Sequence, residues 1–352
     1  MSRILKFHEA LREAADICLS RDQRVYLIGL GVPDPKGIFG TTLGLQQKFG
    51  AHRVLDMPTS ENGMTGVAIG SAIAGMRPIL THQRLDFALL AIEQMVNQAA
   101  KWHYMFGGRT KLPLVIRLII GRGWGQGPQH SQSLHAWFAH VPGLKVVMPV
   151  TPYDAKGLFI ASVEDDNPVI FLEHRWLHNI TGRVPEEHYT VPIGTARVVR
   201  VGRDVTIVAA SYMTLEALRA ADLLSAESVE AEVIDLRTIS PLDSGAILES
   251  VARTGRLIVA DIGSKSFGIG GEIIARVAEE NPALLKSAPA RVCLPDFPTP
   301  TSPALANNFY PRAAHIVAAV RRQLGLAVNE EELAVGESVF LDVPDKTFAG
   351  PF

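Results

Sequence analysis

Short apolar runs alternate along this chain with stretches whose apolar residues recur every three or four positions, and that alternation predicts α/β architecture. In the first half, Val25–Leu30, Arg53–Met57, Arg77–Thr81, Leu114–Leu118, Lys145–Met148 and Val169–Leu172 read as strands, with helical spacing over Phe87–Lys101 and Pro152–Val163. Ile4, Phe7, Leu11, Ala14 and Cys18 are spaced as one face of an N-terminal helix. From His174 to Arg203 the pattern breaks into polar residues, prolines and glycines, which reads as an interdomain linker crossing the surface. A second α/β set follows, with strands at Val205–Ala209, Ala231–Asp235, Leu257–Asp261 and Arg291–Leu294. Its helices are expected near Thr214–Leu224, Ser244–Thr254, Gly271–Glu280 and Pro311–Leu324. The expected division is a domain over 1–185, a linker over 186–202, a second domain over 203–326, and a tail over 327–352 that lies along a partner or is loosely ordered.

Bulk properties narrow the classes. A chain of 352 residues exceeds one ordinary core and agrees with two domains. With 47% hydrophobic and 20% charged residues it reads as soluble and globular, and a net charge of −2 argues against nucleic-acid or anionic-membrane partners. Cys18 and Cys293 are the only cysteines, so neither a disulfide framework nor a cysteine metal cluster is expected, and a reducing cytoplasm is the default. Glu9, Glu13 and Asp16 argue against a signal or transit peptide, and no apolar run reaches membrane-spanning length. The glycine groups Gly29-Leu30-Gly31, Gly121-Arg122-Gly123 and Gly268-Ile269-Gly270-Gly271 do not complete a dinucleotide fingerprint, and no phosphate-binding loop or nucleophile elbow is present.

Two segments carry candidate chemistry. In Met57-Pro58-Thr59-Ser60-Glu61-Asn62-Gly63, Thr59 and Ser60 are good helix N-caps and Glu61 is a lone carboxylate inside an apolar run. Glu61 reads either as a first-turn acid complementing the helix dipole or as a desolvated acid that shares a proton with a buried heterocycle. Gly121–Ser133 is rich in glycine and polar side chains and follows an apolar strand, where α/β sheets place ligands. His130 within it either satisfies loop carbonyls or lines a cavity.

Taken in order along the chain, these blocks resemble the beta subunit of the thiamine-diphosphate-dependent decarboxylase component of 2-oxo acid dehydrogenases. The matching pieces are Pro58–Gly66, Ala91–Lys101, Gln129–Ser133, Pro142–Pro149, Asp154–Leu158 and Asn167–Val169, then Asp204–Val208 and Asp235–Asp243. The resemblance implies a thiamine-diphosphate-binding pyrimidine-type domain plus a transketolase C-terminal α/β domain. It implies that Glu61 hydrogen-bonds the cofactor's aminopyrimidine, that the Phe87 ring packs against that pyrimidine (spacing alone also allows a core aromatic on a helix face), that Gln83 stands in the adjoining cofactor-facing segment, and that His130 stands near the reacting carbonyl or orients a lipoyl acceptor. It implies an alpha subunit in an alpha2-beta2 assembly that supplies the magnesium and diphosphate site, a lipoyl domain as acceptor and a small 2-oxo acid as substrate. Some relatives hold potassium on backbone carbonyls; the matching positions are Leu114, Ser162, Val163, Asp165 and Asn167. The alternatives are a carbon–carbon transferase or lyase without a lipoyl acceptor, and a non-catalytic structural or regulatory subunit. Arg117–Trp124 is bulkier than the glycine- and proline-rich family segment, so Arg122 or Trp124 narrows the pocket, binds a charged substituent or is surface variation; His82 and His135 add histidines near the expected site.

Overall fold

The computed structural model describes residues 2–122, 125–328 and 343–344. Trp124 and most of the tail fall outside the described residues. The chain forms two compact units: Met1–Ile120 with Trp137–Ile193, and Gly121–Ala136 with Gly194 onward.

In the first unit six parallel strands lie in the order Lys145–Val147, Val169–His174, Val115–Ile120, Arg77–His82, Val25–Ile28, Val54–Leu55. They read as continuous apolar runs because helices cover both faces of such a sheet. The expected strand centres hold, with ends shifted by a few residues. The N-terminus departs from expectation. Ser2–Lys6 is a strand paired antiparallel with Thr181–Pro185, and the helix starts only at Phe7. The cause is local: the Glu9 carboxylate accepts the Lys6 backbone N–H at 2.8 Å, and this capping interaction fixes the helix start. Ile4 is therefore off the helical face and 61% exposed, while Phe7, Leu11, Ala14 and Cys18 are buried as expected.

The single helix expected over 87–101 is broken into Leu85–Ala88, a 3₁₀ turn at Leu89–Ala91, a π-helical stretch at Gln94–Ala99 and Ala100–Met105. The wider π turn brings Met95, Ala99 and Ala100 all into the core.

The second unit is a five-stranded sheet in the order Ala290–Leu294, Leu257–Ser264, Val205–Ala209, Ala231–Asp235, Arg197–Arg200, the last strand antiparallel and the rest parallel. Helices Met213–Ser225, Ser244–Thr254, Ile269–Glu280 and Ala313–Leu324 accompany it. Thr181–Pro185 and Arg197–Arg200 are strands inside the stretch that reads as linker. Both are edge strands with exposed positions, which is why a polar sequence hides them. Among the described residues no helix is long and apolar enough to cross a membrane.

Candidate active site

Two neighbouring strands of the first unit end level, Ile28 with Leu55, and the adjoining strand Arg77–His82 runs two residues past Leu80, which is level with Ile28. The residues just past those ends form one cluster. Gln83 follows Arg77–His82 and donates from Nε2 to the Leu30 carbonyl at 2.9 Å, while the Gly31 N–H donates to Asp56 Oδ1, also at 2.9 Å. Position 31 favours glycine. Its φ is +73°, and a Cβ there would lie 2.5 Å from Gln83 Nε2. The chain continues from Asp56 into the helix Glu61–Ile73, whose first residue carries the candidate acid.

Glu61 is buried, and among the described residues nothing hydrogen-bonds its carboxylate. Ser60 is the N-cap, as its residue type suggests, yet its side chain makes no capping bond. Thr65 Oγ1 instead donates to the Glu61 carbonyl at 2.7 Å, tying down the first turn. Glu61 is mostly buried but its carboxylate oxygens still reach solvent, so they are open to a donor brought from outside the chain. Phe87 is half-buried on the short helix Leu85–Ala88, and the helix of Glu61 packs against the segment that follows it. His82, at the carboxyl end of its strand, has a buried Nε2 with no partner among the described residues. Burial pushes its pKa down to about 4, so it is neutral at physiological pH.

His130 is placed differently. It belongs to Gly121–Ala136, which packs with the second unit, and it is half-buried, its N–H donating to the Gly127 carbonyl at 3.2 Å. Three contacts pin this segment. Arg122, fully buried, donates to the carbonyls of Pro300 at 2.6 Å and Thr301 at 2.7 Å. Gly127 lies so close to Thr301 that a Cβ would come 2.3 Å from its Oγ1. His135 and Asp261 are both completely buried, with Nε2 3.1 Å from Oδ2. Arg122 is thus neither surface variation nor a charge presented to substrate: its guanidinium is held by a neighbouring loop. His135 likewise serves as an anchor.

A further polar network lies in the first unit. Arg117 Nε donates to Glu173 Oε1 at 2.5 Å, and Arg117 Nη2 donates to Thr41 Oγ1 at 2.8 Å. His178 Nε2 stands 3.1 Å from Glu173 Oε2, and its ring stacks on Phe7. All three ionisable groups are essentially unexposed. Burial alone would raise the Glu173 pKa, but the Arg117 charge and the His178 hydrogen bond hold it down at about 2. Desolvation pushes His178 down to about 4 despite its carboxylate neighbour.

Comparison with known proteins fits this geometry. The transketolase pyrimidine-binding domain family matches residues 5–179, and the transketolase C-terminal domain family matches 194–316. The beta subunit of acetoin:2,6-dichlorophenolindophenol oxidoreductase from Cupriavidus necator is 45% identical, over 92% of this chain and 98% of its own. The chain belongs to the beta-subunit family of the 2-oxo acid dehydrogenases. Within it, the rat mitochondrial pyruvate dehydrogenase E1 beta subunit is 40% identical over 92% of this chain and 91% of its own. A solved structure titled split gene transketolase, inactive beta4 tetramer, superposes with a TM-score of 0.76 at 25% identity, covering 92% of this chain and 99% of that one.

For a beta subunit of this family, the carbonyl positions expected for potassium gather where the helix Pro152–Glu164 ends. Val163 O and Asp165 O each accept from Arg77 Nη1, at 2.9 and 3.1 Å. Leu114 O accepts from Val169 N at 2.9 Å, and the Asp165 carboxylate pairs with Lys145. Arg77 already caps part of this helix end, and each carbonyl keeps a second lone pair. The sequence reading missed the Arg117–Glu173–His178 network and Asp261. The signal was available: opposite charges at Arg117 and Glu173 interrupt two otherwise apolar strands, which only a buried pair explains.

Proposed function

We propose that this beta subunit builds the pyrimidine half of a thiamine-diphosphate site and completes it with an alpha subunit that holds the magnesium and diphosphate. The observation that carries the reading is Glu61, a mostly buried residue whose carboxylate has no partner among the described residues, at a helix start beyond the level ends of two parallel strands. Thiamine diphosphate, when bound, supplies an electron sink for cleaving the bond beside a carbonyl. Glu61 holds a proton against the ring nitrogen of its pyrimidine, Phe87 offers that ring a face, and Gln83 fixes the adjoining backbone. His130 hydrogen-bonds oxygen at the reacting carbonyl or steers the lipoyl acceptor.

The reaction is decarboxylation of a small 2-oxo acid and acylation of a lipoyl domain. A second substrate, acetoin, which has no carboxylate and would lose acetaldehyde instead of carbon dioxide, is favoured by the 45% identity to a relative named for acetoin. Val67, Leu90, Tyr104 and Met105 are exposed apolar side chains of the first unit and support an alpha partner covering that surface. The inactive beta4 assembly in the related structure's title supports turnover that requires the second subunit. A potassium ion on the remaining carbonyl lone pairs at the Pro152–Glu164 helix end suits the all-oxygen donor set.

The test is Glu61→Gln in the assembled complex, with pyruvate, branched-chain 2-oxo acids and acetoin each offered with a lipoyl domain. Turnover is expected to fall by about 10²–10⁴, the range of acid–base contributions. A complex that keeps its full rate refutes the assignment. Product formation from acetoin alone selects the second substrate.

A further inference from the structure

His82 enters none of the roles above, yet its place in the sheet of the first unit puts it beside Glu61. Paired residues of neighbouring parallel strands share a face, and Tyr26 is level with Pro78. Side chains alternate along a strand, so Tyr26, Pro78, Leu80 and His82 all point to one face of the sheet. The Tyr26 hydroxyl lies 2.6 Å from Ser71 Oγ, which sets the helix Glu61–Ile73 on that same face. This helix connects two parallel strands, so its start lies toward their carboxyl ends. From the level of Ser71, Glu61 is ten residues back along the helix, about 15 Å. From the level of Pro78, His82 is four residues on along the strand, about 13 Å. His82 therefore stands on the sheet beneath the turn that carries Glu61.

The imidazole there is unsatisfied. Neither ring nitrogen is hydrogen-bonded among the described residues; Nε2 is sealed from solvent and Nδ1 is not. Burial keeps the ring neutral, its pKa pushed down to about 4, so it offers one N–H and one lone pair rather than a charge. The proton belongs on Nδ1, since an N–H sealed at Nε2 would have nothing to donate to. Leu80, two residues earlier on the same face, is apolar and fully buried. A histidine at the next such position is costly unless a partner arrives from outside the chain. The open carboxylate of Glu61 awaits a partner at the same end of the sheet.

We propose that His82 is a second cofactor-binding residue, its Nδ1–H donating to the aminopyrimidine ring that Glu61 engages, so that the ring is held from the helix and from the sheet. This role holds only if Glu61 is the cofactor acid assigned above. An apolar side chain in its place would suit the empty site better and the loaded site worse.

The experiment is calorimetric titration of the assembled complex with thiamine diphosphate and magnesium, together with the thermal midpoint of the complex before cofactor is added. His82→Leu, close in volume, is expected to weaken binding about tenfold while the cofactor-free midpoint stays or rises, because no hydrogen bond within the protein is lost. His82→Asn, whose amide N–H falls where Nδ1 stands, is expected to bind within about threefold of wild type. Unchanged affinity in His82→Leu, no recovery in His82→Asn, or a lowered cofactor-free midpoint in His82→Leu overturns the proposal. Turnover of Glu61→Gln, measured alongside, separates the two roles. A full rate there means that the site assignment has failed; a lost rate there, with wild-type binding by His82→Leu, means that only the role of His82 has.

Discussion

Replacing Glu173 by glutamine keeps the shape of the side chain and removes its charge from the centre of the first unit. Arg117 is then left buried beside a neutral amide, and His178 loses the carboxylate opposite its Nε2. Breaking a fully buried pair by removing one partner costs about 3–5 kcal/mol. The titration argument agrees. The gap between the usual 4.5 and about 2 for Glu173 corresponds to about 3 kcal/mol of preference for the ionised form in the folded protein. In a unit of this size that is a fall in thermal midpoint of roughly 6–20 °C. Differential scanning calorimetry of the assembled complex reads it directly. The pH dependence follows from the same groups. The folded protein resists protonating His178, so stability is full above pH 6.5 and is lost as pH falls toward about 4. It resists protonating Glu173 as well, so a second loss runs from pH 4.5 down to about 2; Glu173→Gln abolishes that second loss and, by removing the carboxylate that favours a protonated His178, steepens the first. Arg117→Met with Glu173→Met recovers most of the stability, since no charge is then left unpaired. A single Glu173→Gln variant that melts within about 2 °C of wild type, under 1 kcal/mol, refutes the reasoning.

Other outcomes follow from the same structure. Gly31→Ala drives a methyl into Gln83 Nε2 at a positive-φ position and is expected to weaken thiamine diphosphate binding about tenfold, or 1.4 kcal/mol; equilibrium titration with the cofactor checks it, and unchanged affinity removes Gln83 from the site. Asp261→Ala leaves His135 buried without its partner at a cost of about 1–3 kcal/mol, so trypsin is expected to cut after Arg122 faster than in wild type. An unaltered digestion pattern would mean that the pair does not anchor the segment. Exchanging choline chloride for potassium chloride is expected to stabilise the first unit by about 1–3 kcal/mol through the carbonyls near Arg77. An unmoved melting curve would show that Arg77 alone satisfies that helix end.

Apolar runs were enough to locate the parallel strands, because a strand covered on both faces writes an unbroken hydrophobic segment, as at Val25–Ile28. Elements whose identity depends on partners were hidden. Ile4 fits a helical face by spacing, but the Glu9 cap and pairing with Thr181–Pro185 make it part of a strand. Arg197–Arg200 is half exposed and carries two arginines, so nothing local marks it as sheet. Glu61 stood out in the sequence because a carboxylate in an apolar run needs a reason. Asp261 needed the same reason, but the apolar run Leu257–Ala260 stops just before it, so its charge passes for a turn although the strand continues to Ser264.

Gly121–Ala136 is made with the first unit in sequence yet packs with the second. Its anchors arrive late: Asp261 follows His135 by 126 residues, and Pro300 and Thr301 follow Arg122 by 178 and 179. At a ribosomal pace of about 5–20 residues per second, the strip waits roughly 6–36 s for its binding partners. During biogenesis it is a tethered, unanchored loop, and its predominance of glycine and polar side chains suits that interval, since an apolar strip would invite misassembly while it waited.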